Sequence, residues 1–555
     1  MKLALFFLAL PLFGQVNGPP LPPPKPLEVP PRIGVLGTVN IGLPEVIQRV
    51  LESDRDLVIS RIAREEAVYN IKGALGVYDP RLGLNAFRSR SVAPVTSLLG
   101  GSSDGKVSQE QYLADPSLSG SFPILGGTYK LDFSSARQTS DSTFLTLNPQ
   151  FPTSVNLNLT QPLWRGMRYD DNRHRIGVAR QNLNLTDEQF RQRVIEIVTQ
   201  AVQAYWELDY AYRNLEVQIE AVRLAEQQDA SNRRQEQQGL LAPVDVVATQ
   251  TQIATFQQTV FLAQQAVTTA ENALKVLMLP DRTDLMWGMA LVPQAVEDPA
   301  KPLPPLDDAI KAALAGRPEL AQAAISIETN KLDARLSREQ TKPQVDAVAS
   351  FSTVGLAGRE FVAGANPLTA SFLPFVTGIN TLNALNGLPP IVFATTSGAP
   401  PFLVGGYGQS LSELTSGSFT SAQVGVQISV PLRNRTAIAA LAVSTAEGRR
   451  LKAQRQQVEM AVEQDVRNAL QTASSADDRL DAAVTARKYA EQQYASEQRQ
   501  FQAGTSTVFL VLQRQTDLIA ARTREVRAGA DLKEARASLD RATARTIEAH
   551  GIQIK

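Results

Sequence analysis

A fifteen-residue phrase occurs twice in this chain, and the repetition limits the folds that the chain can adopt. Residues 225–239 read AEQQDASNRRQEQQG and residues 490–504 read AEQQYASEQRQFQAG, so ten of the fifteen positions are identical. Self-similarity at a long, fixed spacing is typical of a duplicated architecture. The phrase therefore predicts two structural repeats before it predicts any chemistry.

Further anchors keep the same order in both halves of the chain. The paired anchors are Ile47 with Ile310, Leu51 with Leu314, Pro80 with Pro343, QPLWRG from 161 with VPLRNR from 430, and Gly239 with Gly504. Because these pairs occur in one order along both halves, we divide the chain into repeat 1 at 43–300 and repeat 2 at 301–547.

Each repeat predicts the same succession of elements. A short amphipathic helix of about 35 residues ends before Pro80 or Pro343, because proline interrupts a helix. Short segments in which apolar and polar residues alternate follow, separated by Gly, Ser and Pro. Then come a very long helix, a turn at the repeated glycine and a return helix. In repeat 1 the predicted bounds are about 80–165 for a β-hairpin region, 170–236 for the long helix and 243–278 for the return helix. In repeat 2 they are about 343–433 for the β-hairpin region, 436–502 for the long helix and 507–547 for the return helix.

The long helices exclude a compact globular core. At 1.5 Å per residue, about 67 residues make a rod of about 100 Å. The apolar residues of each rod recur at steps of three and four and leave a narrow stripe. In the first rod the stripe is Val194, Ile197, Val198, Ala201, Tyr205, Leu208, Tyr212 and Leu215; in the second it is Val462, Val466, Ala469, Ala473, Ala476, Leu480, Ala483 and Val484. Such helices pair sideways as coiled coils.

The alternating segments have one apolar and one polar face. SVNLNLTQPL at 154–163 and QVGVQISVPL at 423–432 follow the period of two that is typical of a strand. About ten such residues cross a bilayer when tilted in a barrel, although a soluble β-sandwich shows the same alternation. The export signal, the long rods and the lack of a second sheet favour the membrane barrel.

The chain ends also carry information. Residues 1–18 combine Lys2, an apolar run and small residues, which is typical of a secretory signal peptide. Residues 19–42 are rich in proline and predict an extended segment, and residues 548–555 are a short tail. The sequence has no cysteine, which excludes disulfides and thiolate metal sites.

Composition gives no sign of nucleic-acid binding or catalysis. Lys plus Arg and Asp plus Glu are both 55, so no basic excess favours nucleic acid. The two histidines, His174 and His550, are far apart in sequence, and no Ser, His and Asp set has a spacing that predicts a triad. We therefore expect no enzyme activity, metal site or cofactor.

Two segments exceed this simple plan. LSGSFPILGGTYKLDFSS at 118–135 predicts either an extra hairpin or an extension of the main one. Residues 358–418 are rich in Gly, Pro and Thr and predict a long loop.

The duplicated plan resembles the TolC family of outer-membrane channel proteins, also called outer-membrane efflux proteins. The most specific stretches are TQPLWRG at 160–166, QGLLAPVDVV at 238–247 and AGTSTVFLVL at 503–512. The resemblance implies mixed α and transmembrane β structure, in which each copy of a homotrimer gives four strands to a shared barrel and its helices form a coiled-coil periplasmic tube. It also implies outer-membrane lipid, a periplasmic adaptor and an inner-membrane transporter as partners, and a passive exit duct for efflux or type I secretion.

The same resemblance assigns roles to the two turns. Adaptor docking is expected at Gly239, Leu240, Leu241, Asp245, Gly504, Thr505 and Ser506. The family often has acidic residues that constrict the second turn, whereas Leu510 and Gln513 stand six and nine residues after Gly504. We therefore expect an apolar constriction from Val508, Phe509 and Leu510 beside Gln513. The alternative is a periplasmic coiled-coil adaptor, which would normally have one helical hairpin rather than two repeats.

Overall fold

The structure is a computed structural model that describes residues 25–95, 105–142, 145–294, 302–361, 367–392 and 398–553. The described chain forms two compact units. The first unit comprises the described residues of 1–62, 188–321 and 456–555, and the second comprises those of 63–187 and 322–455. The signal peptide predicted at 1–18 lies outside the described residues.

The second unit contains an antiparallel sheet. In the described ranges the sheet has six strands, which are hydrogen-bonded to one another in the order in which they occur along the chain. Their bounds are β2 at Arg81–Pro94, β3 at Lys106–Ser121, β4 at Thr128–Ser140, β5 at Leu147–Pro162, β7 at Gln344–Glu360 and β8 at Thr420–Ser429. The sheet thus has two strands more than the predicted share of four, because residues 118–135 belong to a hairpin formed by β3 and β4.

The sheet has one apolar and one polar face, as the alternation of apolar and polar residues predicts. Leu157 pairs with Leu131 on one side and with Phe351 on the other, so these apolar side chains share a face. Asn156 pairs with Asp132 and Ser352 on the opposite, polar face. The apolar face of β8 is open, with Val424 84% exposed.

The segment expected to be a long loop at 358–418 contains regular structure. Strand β7 runs on to Glu360, and two helices follow, α7 at Pro367–Leu385 and α8 at Tyr407–Ser416. Helix α8 packs on the sheet, where the Ser410 and Thr153 hydroxyls lie 2.7 Å apart. The loop prediction was therefore wrong for these stretches. Glycine and proline are typical of turns, but α8 is stabilised by packing on a distant strand, which a local pattern does not show.

The short helices of both repeats are each divided in two. Repeat 1 has α1 at Leu43–Ser53 and α2 at Arg55–Leu75, and repeat 2 has α5 at Leu306–Gly316 and α6 at Pro318–Gln340. The prediction of one helix of about 35 residues was wrong. Asp54 restarts the first helix, because its carboxylate accepts from the Leu57 amide at 3.0 Å. Pro318 starts the second, as proline favours a first helical position.

The long helices and return helices match the periodic pattern of the sequence. The structure has α3 at Asp171–Gln237, α4 at Pro243–Met278, α9 at Arg435–Gln502 and α10 at Val508–Ala542, followed by α11 at Thr546–Ala549. Val198, Tyr205 and Leu208 of the first stripe are fully buried. Val466 and Ala473 of the second stripe are also fully buried, so both stripes are packing surfaces, as predicted.

The N-terminal segment contains a strand that the prediction of an extended arm did not include. Strand β1 at Gly37–Ile41 pairs in parallel with β6 at Met289–Pro293. Before it, the arm lies along α4, where Gln257 and Gln264 donate to the backbone carbonyls of Lys25 and Pro30.

Buried charges hold this arm in place. Glu271 accepts from Arg32 at 2.7 Å and from Lys275 at 2.6 Å. The Lys275 ammonium also donates to the Trp287 and Met289 carbonyls at 3.0 and 2.6 Å. Glu271 and Lys275 are 2% and 1% exposed, so these bonds replace the water that both groups lose on burial.

Candidate functional site

The candidate site consists of the two turns that join α3 to α4 and α9 to α10, both in the first unit. We call them turn 1, residues 238–242, and turn 2, residues 503–507. Gly239 and Gly504 have φ angles of +67° and +74°, in the left-handed region that glycine adopts without strain. No atom lies within 4 Å of a Cβ added at either glycine, so the backbone angle rather than crowding requires glycine.

Both turns end their long helices with the same hydrogen bonds. In turn 1 the Gly239 amide donates to Glu236 at 2.8 Å and the Leu240 amide to Gln235 at 2.9 Å. In turn 2 the Gly504 amide donates to Phe501 at 3.0 Å and the Thr505 amide to Gln500 at 2.9 Å. This pair of bonds is the Schellman motif, which satisfies the free carbonyls at a helix C-terminus.

The return helices begin differently. Helix α4 starts with Pro243 behind Ala242, which provides no side-chain cap. Helix α10 starts behind Thr507, whose hydroxyl accepts from the Leu510 amide at 3.4 Å. The Ser506 hydroxyl also bonds to the Glu497 carboxylate, which ties turn 2 back to α9.

A polar network lies beneath turn 1. Gln228 donates to Asn232 at 2.8 Å, and Asn232 donates to the Thr249 hydroxyl at 2.8 Å. That hydroxyl in turn donates to the Asp245 carbonyl at 2.9 Å. Asn232 and Thr249 are fully buried, so this chain of hydrogen bonds fixes α3 against α4.

An apolar cluster lies beneath turn 2. Its buried members are Phe501, Val508, Val511 and Leu512. Leu241 of turn 1 and Tyr494 of α9 pack against it, so the cluster brings the two turns together. Burial raises the pKa of the Tyr494 hydroxyl above its usual value, because the apolar surroundings disfavour the charged phenolate.

Apolar side chains are exposed on the solvent side of both turns. Leu240 and Val244 are 74% and 69% exposed at turn 1, and Phe509 is 72% exposed at turn 2. An exposed cluster of large apolar residues is unusual for a surface that only contacts water. These residues therefore suit contact with another protein.

The residues predicted from sequence fall into three groups. Exposed are Gly239, Leu240, Gly504, Thr505, Phe509, Leu510 and Gln513; half-buried are Leu241, Asp245 and Ser506; buried is Val508. Because Val508 packs inside the cluster beneath turn 2, its side chain does not line a passage, and Phe509, Leu510 and Gln513 remain as the constriction candidates.

The sequence analysis missed Val244, Asn232 and Thr249. Val244 is the second residue of α4, and the stretch QGLLAPVDVV, which places this apolar side chain five residues after Gly239, could have revealed it. Asn232 and Thr249 resemble residues of a solvated face, and only the pairing of α3 with α4 shows that they are buried.

Neither a metal centre nor a helical membrane span is found in the described ranges. There, His, Asp and Glu side chains do not gather in groups of three that could hold a metal ion. None of the described helices has both the length and the hydropathy that crossing a membrane requires.

Comparison with known proteins gives a family match. The model of the family described as "Outer membrane efflux protein" matches residues 46–278 and 402–545, which is more than half of the chain. The second matched range includes turn 2, and the first includes turn 1. No curated protein sequence matches the chain significantly.

Solved structures with a similar fold include outer-membrane proteins. The CmeC outer membrane channel of Campylobacter jejuni is 12% identical with a TM-score of 0.61, covering 91% of this chain and 86% of that one. The outer membrane protein VceC of Vibrio cholerae is 16% identical with a TM-score of 0.57, covering 90% and 96%. The MtrE outer membrane channel of Neisseria gonorrhoeae, in its open state, is 15% identical with a TM-score of 0.57, covering 90% and 88%.

Proposed function

The chain belongs to the outer membrane efflux protein family, a family of outer-membrane channels rather than of enzymes, and we propose that three copies of it form one passive exit duct with the helical turns in the periplasm. An inner-membrane transporter delivers the substrate, and a periplasmic adaptor couples that transporter to the turns. The duct serves efflux or type I secretion and uses no cofactor.

The two-faced sheet is the observation that supports this assembly best. As described, β2 and β8 each have a neighbouring strand on one side only. Within a bilayer, unpaired backbone groups are costly, so a sheet with two free edges must close on further strands. Further copies of this chain provide such strands.

Membrane fractionation and conductance test this function. The full-length protein, produced in a Gram-negative host, should sediment with outer membranes and migrate as a trimer after chemical cross-linking in the membrane. The purified trimer should raise the conductance of a planar bilayer. A water-soluble monomer in the periplasm would contradict the proposal and favour the periplasmic coiled-coil adaptor.

The exposed apolar side chains of the turns support adaptor docking there. Leu240 is exposed while its amide completes the Schellman motif, so its side chain can be changed without altering the turn. Leu240→Asp should lower export of a fluorescent dye at least tenfold and leave the trimer assembled. Leu240→Met, which keeps the apolar contact, should export like the wild type; equal loss in both variants would contradict docking through this side chain.

The repeated glycines allow a second test of the turns. Proline fixes φ near −65°, and its nitrogen carries no hydrogen, so Gly239→Pro or Gly504→Pro removes both the left-handed angle and one Schellman bond. We expect each variant to assemble trimers and to export less. Unchanged export in both variants would contradict a role for the turns in docking.

The narrowest passage is proposed at turn 2, lined by Phe509, Leu510 and Gln513. Phe509→Ala and Leu510→Ala, made together, should raise the single-channel conductance because both side chains are exposed and neither belongs to the cluster beneath the turn. An unchanged conductance would place the constriction elsewhere.

A further inference from the structure

The hairpin of β3 and β4 extends the sheet without interrupting it. It lies between β2 and β5, which follow each other directly in a four-strand share. Strand β3 pairs with β2 over residues 81–94, and β4 pairs with β5 over residues 128–138. The hairpin is therefore hydrogen-bonded to the rest of the sheet along both of its long sides.

An apolar row crosses the hairpin near Leu82, and further along the same face Arg88 and Glu110 form an ion pair. One row of directly opposed residues crosses all six strands: Leu82, Leu118, Leu131, Leu157, Phe351 and Ala422. Leu82 is 82% exposed, so the described protein leaves this end of the row uncovered. An open apolar row of this length fits lipid rather than water.

The polar face continues in the same way. The neighbouring row is Gly83, Ser117, Asp132, Asn156, Ser352 and Ser421. Lys130 lies two residues from Asp132 on the same face and forms an ion pair with it at 2.8 Å. The hairpin thus adds charged side chains to a face that is otherwise rich in Asn, Gln and Ser.

We propose that the hairpin is part of the channel wall, so that each copy contributes six strands and a closed trimer has eighteen, with Lys130 and Asp132 facing the water-filled passage. This inference rests on the assembly of three copies proposed above. Because barrel diameter grows roughly linearly with strand number, the mouth is about 1.5 times as wide as that of a twelve-stranded barrel.

Engineered cysteine pairs test the order of strands. The chain has no cysteine of its own, so only introduced thiols react. In the wall as proposed, Leu82→Cys with Leu118→Cys are directly opposed, with Cβ atoms about 5 Å apart. Leu82→Cys with Leu157→Cys are separated by the hairpin, at about 14 Å for three strand spacings.

A short thiol cross-linker applied to outer membranes should join the first pair and not the second, as read by mass spectrometry of the digested protein. If the hairpin lay outside the wall, β2 would pair with β5, and the second pair would react instead. That result overturns the six-strand wall even where the trimer conducts. Conversely, a sheet with the first pattern in a protein that does not conduct would contradict only the proposed function.

Two adjacent residues, Lys130 and Leu131, test which face of the sheet contacts water. Lys130→Cys should react with a charged, membrane-impermeant thiol reagent and change the channel conductance. Leu131→Cys, the next residue on the opposite face, should remain unmodified in intact membranes. Equal reaction of both thiols, or of neither, overturns the assignment of the faces.

Deletion of residues 95–146, with Pro94 joined to Leu147 through two glycines, returns the sheet to four strands. The deletion variant should assemble but exclude smaller neutral polymers from its outer mouth than the full-length channel does. An unchanged polymer cutoff in an assembled variant would contradict the wider barrel.

Discussion

Gly239 and Gly504 occupy the same position in two turns with the same hydrogen bonds, yet the side chains beneath the first turn are polar and those beneath the second are apolar. Turn 1 rests on Gln228, Asn232 and Thr249, which are joined by hydrogen bonds of 2.8 Å. Turn 2 rests on an apolar cluster centred on Phe501. The two repeats therefore share the backbone of the turn and differ in the polarity of the side chains beneath it.

This difference predicts different mechanical behaviour. A buried polar network is stable only when each partner keeps its distance and direction, so it holds one arrangement of helices. An apolar cluster has no directional bonds and tolerates small shifts and repacking. We therefore expect turn 1 to remain fixed and turn 2 to move when the duct opens.

The contrast extends along the return helices. On α4, Glu271 is paired with both Lys275 and Arg32. On α10, one guanidinium serves three carboxylates, since Arg527 contacts Glu207, Asp531 and Glu534. The buried site of the first helix therefore has an excess of positive charge, whereas the cluster on the second has an excess of negative charge.

The largest effect is expected when the buried pair of α4 is broken. Lys275→Met leaves the Glu271 carboxylate buried with one partner fewer and removes the donor to two carbonyls. Removing one partner of a buried pair costs about 3–5 kcal/mol, so the thermal unfolding midpoint in detergent should fall clearly. Lys331→Met, at an exposed pair on α6, should cost less than about 1 kcal/mol. Similar losses in both would contradict the special role of the buried pair.

Removal of the Phe501 ring should loosen turn 2 more than turn 1. Phe501→Ala removes the largest side chain of the buried cluster, at a cost of about 3 kcal/mol. Amide hydrogen exchange should accelerate most at residues 500–512 and less at turn 1, from which only Leu241 packs against the cluster. Phe509→Ala, an exposed ring eight residues later, should leave both turns protected. Equal acceleration at both turns would mean that the cluster supports turn 1 as much as turn 2, and would contradict this comparison.

A smaller effect is expected when the network beneath turn 1 is broken. Asn232→Leu leaves Gln228 and Thr249 buried without their partner, at a cost of about 2 kcal/mol. Exchange should accelerate at residues 236–246. Replacing all three with Gln228→Leu, Asn232→Leu and Thr249→Val should recover most of the protection, because no polar group is then left unpaired. A triple variant weaker than the single one would refute this account.

The smallest effect is expected for the pH dependence of stability, through Glu534 of the second return helix, α10. Burial raises the pKa of Glu534 to about 7, with Arg527 opposing the rise and Glu207 and Asp531 adding to it. The folded state therefore keeps a proton that the unfolded state loses at about pH 4.3, and stability falls as pH rises from there through about 7. Glu534→Gln should raise the unfolding midpoint at pH 8 by a few degrees and leave it unchanged near pH 4. An equal gain at both values would point to packing instead of charge.

The sequence revealed those features that depend on local pattern. The doubled phrase located both glycine turns, and steps of three and four identified the buried stripe through Val198 and Tyr205. Alternation identified the strands that contain Leu157 and Val424. Each of these signals lies within a few residues of the feature it predicts.

Features that depend on distant partners were missed or left open. Strand β3 contains Asp115 and Pro116, which are rare in strands, and only its pairing with β2 and β4 shows that it is one. Strand β1 depends on β6, about 250 residues later. The polar core beneath turn 1 is likewise invisible until α3 and α4 are brought together.

The pairing of β1 with β6 sets an order of events. Gly37 emerges from the secretion machinery early, but its partner Met289 follows only after the first long helix, its turn and the return helix have been made. The chain must close a loop of this length before the arm can dock, and contacts over such separations form slowly. We therefore expect the arm, which precedes repeat 1, to dock only after most of repeat 1 has folded, and until then the Glu271 carboxylate lacks Arg32. Docking of the arm is thus expected to follow the folding of repeat 1.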